Sequence, residues 1–204
     1  MAASRPPPGC RCCRTGPSPS RSRGSSASRE CYDQGMIIRR GTPADAPGLA
    51  ALARETFFDT FASTNNAGDM AIHLERAYGV AQQAAELINP AVTTWLVDED
   101  GSTVAYAQVR TGHVPDCVSG PEPIELWRFY VQREWHGRGI APALMAGVVA
   151  DVTAAGAQTL WLGVWEHNHR ALAFYRKLGF GAVGAHIFLF GTDPQTDYVM
   201  ARLL

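Results

Sequence analysis

His136-Gly137-Arg138-Gly139-Ile140-Ala141 stands between a strand-like run at 124–131 and a helical run at 140–155. That junction is an anion site in chemical terms. The first amides of a helix have no intrahelical acceptor, and the macrodipole places partial positive charge on them. Gly137 and Gly139 let the backbone approach a phosphate with no Cβ in the way, and Arg138 adds a charge beside it. A strand-to-helix turn also uses glycines for purely structural reasons, so a second motif is needed to decide. The spacing is not that of a Walker loop, because no Gly-Lys-Ser or Gly-Lys-Thr follows, and the third glycine of a dinucleotide fingerprint is missing.

Outward from the junction, the periodicity predicts an ordered set of elements. Met36-Ile37-Ile38 reads as a short strand. Thr42-Pro43-Ala44-Asp45 then opens a helix, with Thr42 as cap, Pro43 in first position and Asp45 reaching back; Leu49, Leu52, Ala53, Thr56 and Phe57 share a face. Helices are expected at 69–78 and 80–88, the second stopped by Asn89-Pro90. Strands at 93–97 and 102–109 flank Asp98-Glu99-Asp100-Gly101 as a hairpin turn. After the helix at 140–155, which Gly156 stops, come a strand at 159–165, a helix at 170–178 and strands at 182–190 and 198–203. The fold class is α/β, a layer of helices over a sheet, in one domain at 36–204.

The second motif is Trp161-Leu162-Gly163-Val164-Trp165-Glu166-His167-Asn168, running off a strand, with Tyr175 and Gly179-Phe180 downstream. Together with the glycine loop it resembles the GNAT superfamily of acetyl-CoA-dependent N-acetyltransferases, over essentially all of residues 36–204. Glu55-Thr56-Phe57-Phe58-Asp59-Thr60-Phe61, Trp161 to Glu166, and Gly184-Ala185-His186 with Gln195-Thr196-Asp197 look like the PaiA type of polyamine N-acetyltransferase. The resemblance implies the acyl-CoA N-acyltransferase fold: a central mixed, mostly antiparallel sheet flanked by helices and splayed between strands 4 and 5. It also implies acetyl-CoA as co-substrate, with no metal. One departure is His136, where the usual loop opens with Gln or Arg; the loop works through backbone amides, so binding should survive and affinity is what changes.

The reaction so implied is attack of a primary amine on a thioester. An alkylamine of pKa about 10.4 is neutral in only roughly one molecule in 2,500 at pH 7. A base, or water leading to one, must take a proton. Glu125, six residues before Val131, matches the place of a catalytic glutamate in some superfamily members. It also reads as a solvated strand-start carboxylate or a binder of the substrate ammonium, and a water relayed by backbone carbonyls would serve as well. Poor alternation along Leu126 to Val131 fits a bulged strand. By resemblance, Phe129, Tyr130 and Val131 meet the pantetheine arm and acetyl carbonyl, residues 136–141 (His136, Gly137, Arg138, Gly139, Ile140, Ala141) the pyrophosphate, and Asn168, Tyr175 and Lys177 complete the cofactor set. Tyr175, seven residues past Asn168 and thus about two turns on, matches the proton donor to the leaving sulfur. Glu55, Asp59, Tyr78, Trp165 and Glu166 supply charge and aromatic faces for a cationic acceptor, though each also reads as an ordinary surface or core residue. His167 and His169 flank Asn168 and are expected to face different ways.

Charge and composition narrow the function classes. The chain has 204 residues, 46% hydrophobic and 18% charged, with a net charge of −1. Residues 1–35 carry six arginines against Glu30 and Asp33, a balance of +4, which leaves −5 for 36–204. Four of the five cysteines, Cys10, Cys12, Cys13 and Cys31, lie in that first stretch and only Cys117 beyond it. The Arg/Ser/Pro-rich stretch at 1–35 is expected to be a disordered extension or an untranslated one, with Met36 as alternative start. An apolar signal-peptide region is missing from it, and no run of eighteen apolar residues suggests a membrane span. The acidic domain favours cationic over anionic acceptors. The expectation is thus a cytoplasmic enzyme whose partners are a small-molecule amine and CoA, with a homodimer allowed and neither nucleic acid nor membrane. Two other functions are carried: a protein N-terminal or lysine acetyltransferase, and a regulatory acyl-CoA-binding protein with little turnover.

Overall fold

The computed structural model of the chain describes residues 35–190 and 193–204. In chain order the elements are β1 (Ile37–Arg40), α1 (Ala46–Phe61), α2 (Ala67–Tyr78), α3 (Val80–Ile88), β2 (Val92–Glu99), β3 (Ser102–Arg110), β4 (Pro123–Val131), α4 (Ile140–Ala154), β5 (Thr159–Trp165), α5 (His169–Lys177), β6 (Gly181–Phe190) and β7 (Asp193–Leu203). The expectation of a disordered extension falls, all but Gly35, outside the described residues.

Local chemistry explains most boundaries. The Thr42 amide donates to Asp45 Oδ2 at 2.7 Å, while Asp45 also pairs with Arg39 at 2.8 Å. That opening is a turn of 3-10 helix at Pro43–Asp45 before α1 proper. The second helix starts two residues earlier than its periodicity suggested, because the Asn66 side chain accepts from Gly68 N–H at 2.7 Å and caps it. The β2–β3 turn is only Asp100-Gly101, both left-handed, with φ of 50° and 75°. Asp98 and Glu99 belong to β2 instead, and Asp98 sits opposite Ile37 with Arg39 held at 2.6 Å.

Seven strands form one sheet in the order β1-β2-β3-β4-β5-β7-β6, antiparallel throughout except that β4 runs parallel to β5. Alternate residues of the strands feed two cores. Trp95 and Val97 point into a cluster with Leu144, Val148 and Leu172 of α4 and α5, while Leu96 and Tyr106 pack with Leu49, Phe57, Met70 and Leu74 of α1 and α2. No helix among the described residues is long and apolar enough to cross a membrane.

Candidate active site

β4 and β5 pair only at their first residues, Pro123–Glu125 against Thr159–Trp161, and then part. The cause lies in β4. Gln108 stands opposite Arg128 and Val109 opposite Leu126, so Trp127 is an extra, unpaired residue. Its ring sits between two guanidiniums, Arg110 at 4.2 Å and Arg128 at 3.8 Å. Arg110 in turn grips both oxygens of Glu125, one contact being 3.1 Å. Arg128 is buried and bonds Glu86 of α3, Gln108 Oε1 at 2.7 Å and the Ala77 carbonyl at 3.3 Å. The Gln132 amide bonds Val104 O at 2.9 Å, so by alternation the N–H and C=O groups of Phe129 and Val131 face the gap rather than β3.

At the far end of β4 the glycine loop turns into α4. Gly137 and Gly139 have φ of 79° and 84°, and a Cβ on either would meet nothing within 4 Å. Gly139 offers no side-chain cap to α4, so the first amides stand open beside that space. The His136 ring bridges Val131 O at 2.9 Å and Arg170 at 2.5 Å. Arginine can only donate, so Nδ1 accepts, and Nε2 carries the hydrogen it gives to the carbonyl. His136 therefore ties the loop to the start of α5, and of the Val131 backbone groups facing the gap it engages the carbonyl.

A cavity of about 410 Å³ begins at the gap, where Glu125, Trp127, Phe129, Tyr130, Asn168 and Tyr175 line it. The two-turn spacing of Asn168 and Tyr175 does bring both to one wall. Asn168 Oδ1 accepts from Ala171 N–H at 3.2 Å and caps α5, leaving its amide hydrogens to other partners. Burial pushes the Tyr175 phenol well above its ordinary range, so it carries its proton at neutral pH. Elsewhere on the cavity wall, Phe57, Phe61, Tyr78, Trp165, Phe188 and Phe190 make an aromatic chamber with His73, His186 and Asp197.

Of the acceptor residues expected from sequence, Tyr78 and Trp165 line this chamber; Glu55, Asp59 and Glu166 do not. Glu55 and Asp59 are four apart on the outer face of α1, opposite buried Thr56 and Phe57, and Glu55 accepts from Gln132 Nε2 at 3.1 Å. Glu166 lies past the end of β5, beside His167 at 3.9 Å. Val131, His136, the loop residues 137–141 and Lys177 also lie outside the cavity. The rings of His167 and His169 are neighbours, edge to face at 6.5 Å, contrary to expectation, because the His169 amide bonds the His167 carbonyl in a tight turn. Arg110, Trp127, Arg128, His73, His186 and Asp197 were not singled out for the site from sequence; the last two sat inside the quoted PaiA-like stretches, and that was the available signal.

His73 stacks on Phe57 at 4.7 Å. Burial, with Arg128 and Arg76 nearby, holds its imidazole below the ordinary range and neutral. Its folded pKa is thus lower than its unfolded value of about 6.5. The stability it contributes is complete above that unfolded value and lost as pH falls through the folded one. Replacing His73 by Phe is expected to flatten the acid-side fall in melting temperature; a fall as steep as in the wild type would remove His73 as its source.

Comparison with known proteins identifies the scaffold. The profile described as the acetyltransferase (GNAT) family matches residues 53–180. An uncharacterized N-acetyltransferase of Lactobacillus delbrueckii subsp. lactis is 30% identical over 170 residues, 83% of this chain and 98% of that protein. The aminoglycoside N(6')-acetyltransferase type 1 of Stenotrophomonas maltophilia is 34% identical over 148 residues, 70% of this chain and 84% of the relative. The crystal structure of the PaiA N-acetyltransferase from Thermoplasma acidophilum in complex with coenzyme A superposes with a TM-score of 0.71 at 18% identity, covering 83% of this chain and 99% of that one. With the bulged β4, the splay and the glycine loop in place, the chain belongs to the acetyltransferase (GNAT) family and is an N-acetyltransferase that uses acetyl-CoA.

Proposed function

We propose that the acceptor is a small cationic primary amine, with polyamines such as spermidine and spermine as first candidates. The observation that carries this is the aromatic chamber with the Asp197 carboxylate on its wall. Aromatic faces and a fixed negative charge are what an alkylammonium needs to leave water. The −5 balance of residues 36–204 acts in the same direction at long range. The aminoglycoside-acetylating relative fits the class, since an aminoglycoside is also a polyvalent ammonium.

Acetyl-CoA supplies the activated acetyl thioester, and the residues present fit it. Open amides at 137–141, beside space that a Cβ would not fill, suit the pyrophosphate. The gap-facing groups of Phe129 and Val131, with the Asn168 amide, suit the pantetheine arm and the oxyanion. Tyr175 donates the proton to the leaving sulfur. Glu125, gripped by Arg110 through both oxygens, serves as a held charge bracing the bulge; a base at that position would first have to be released.

The test is thiol release from acetyl-CoA with spermidine, spermine, simple diamines, aminoglycosides, amino acids and peptides. Release with the cationic amines supports the reading. Release with peptides alone favours a protein acetyltransferase, and none at all despite tight CoA binding favours the regulatory protein. Gly139→Ala adds a second check. A left-handed Ala costs about 1–2 kcal/mol, and this exposed loop sheds that strain by leaving the binding geometry. Acetyl-CoA affinity is therefore expected to fall up to about tenfold by calorimetry, with the melting temperature nearly unchanged.

A further inference from the structure

We infer that the acceptor's ammonium docks against Asp197 and gives its proton to His186, an inference that rests on the cationic-amine reading above. His186 of β6 and Trp165 of β5 each stand directly opposite Asp197 of β7, so three strands carry Trp165, Asp197 and His186 in one row on one face. All three line the cavity. The imidazole and carboxylate converge over Gly163, where an added Cβ would lie 3.3 Å from His186 Cε1 and 3.7 Å from Asp197 Oδ2. The missing side chain lets both groups lie this close to the β5 backbone.

Among the described residues, two carboxylates line the cavity, Glu125 and Asp197. Arg110 occupies the first, whereas the second has no hydrogen bond or ion pair among the described residues. Burial raises the Asp197 carboxyl and Glu166 adds to that, with His186 opposing. A partly buried carboxylate with no partner gains from a cation brought to it. Trp165 beside it offers a π face to the same cation. Among the described residues, Asp197 on β7 stands opposite His186, Glu166 past β5 acts on that carboxylate, and His73 of α2 lies against Phe188. His186 itself lies on the edge strand and is open to solvent, so a proton it takes can leave to water.

The step is a proton transfer followed by attack. One N–H bond of the bound ammonium breaks and its proton passes to an imidazole nitrogen of His186. The electron pair left on nitrogen forms the new bond to the acetyl carbonyl carbon, and the C–S pair leaves with sulfur, which takes its proton from Tyr175. The second amine proton, lost as the amide forms, restores the phenol; the first goes from His186 to water.

The experiment uses the full chain with acetyl-CoA and spermidine, the variants His186→Gln, Asp197→Asn and Asp197→Glu, and melting curves to verify folding. Wild-type kcat/KM for spermidine should rise with pH to a plateau below the titration of the amine itself. His186→Gln should lower it about a hundredfold, and the plateau should vanish, the rate climbing towards the amine's own pKa. Asp197→Asn should raise the spermidine KM at least tenfold, Asp197→Glu should recover part of it, and acetyl-CoA affinity should stay within twofold in all three. An unchanged pH profile in His186→Gln, or an unchanged KM in Asp197→Asn, overturns the assignment while the amine reading stands. Wild-type enzyme releasing no thiol with any cationic amine overturns both.

Discussion

Replacing Tyr175 by Phe lowers turnover at least tenfold while acetyl-CoA binds nearly as well and the protein melts at nearly the same temperature. The ring stays where it packs, 5.5 Å from Phe174 and 5.6 Å from Phe180, so only a hydroxyl leaves. What that hydroxyl does follows from its surroundings. A phenol holds its proton at neutral pH, burial raises its pKa further, and it lines the same cavity as Asn168. A protonated phenol there can donate to a developing thiolate but is a poor base. General-acid help of this kind contributes about 10²–10⁴-fold, which sets the scale of the loss. Acyl donors whose thiolate is less basic should lose less in the variant, because they need the proton less. Steady-state kinetics with acetyl-CoA and such a donor checks both points. Wild-type turnover in Tyr175→Phe removes the residue from the mechanism.

The largest expected effect on stability is at Glu86. Arg128 and Glu86 form an ion pair with 7% and 5% of their side chains exposed, completed by Gln108 and by Gln82 Nε2, which donates to Glu86 Oε1 at 2.8 Å. Glu86→Ala leaves the guanidinium buried without its counter-charge, and breaking such a pair costs about 3–5 kcal/mol. Removing both charges together, as Glu86→Leu with Arg128→Met, should cost much less, since no orphan charge is left. Urea unfolding of the single and double variants measures the difference; a single-variant loss below about 1 kcal/mol would show that water reaches the pair. Function should follow, because Arg128 also stacks on Trp127 and so holds the bulge that opens β4 from β5.

These two sites differ in how readable they were. Tyr175 was marked by the family resemblance of the Asn168–Tyr175 stretch, since its seven-residue spacing alone would fit a packing tyrosine as well. Glu86 could not be found this way: its partner lies 42 residues away, and nothing in the helical pattern at 80–88 marks one glutamate as inward. The same holds for Glu125. Its place on β4 was legible, but its capture by Arg110 depends on the β3–β4 register around a bulge, and that capture changes what the carboxylate can do.

By itself the sequence determined the elements and the loop. Bounds of α3 and β5 agree to the residue, and the glycine junction opens α4 as expected, because caps, prolines, left-handed glycines and apolar periods act over a few neighbouring residues. Only the tertiary structure decided which acids and histidines meet. It turned Glu55 and Asp59 outward, locked Glu125 and Glu86 to arginines, and set His186, Asp197 and Trp165 in one row across three strands. Pairing across strands and burial of charge are non-local: a side chain's partner is chosen by register and packing, and neither is written in the spacing of the residue's own neighbours.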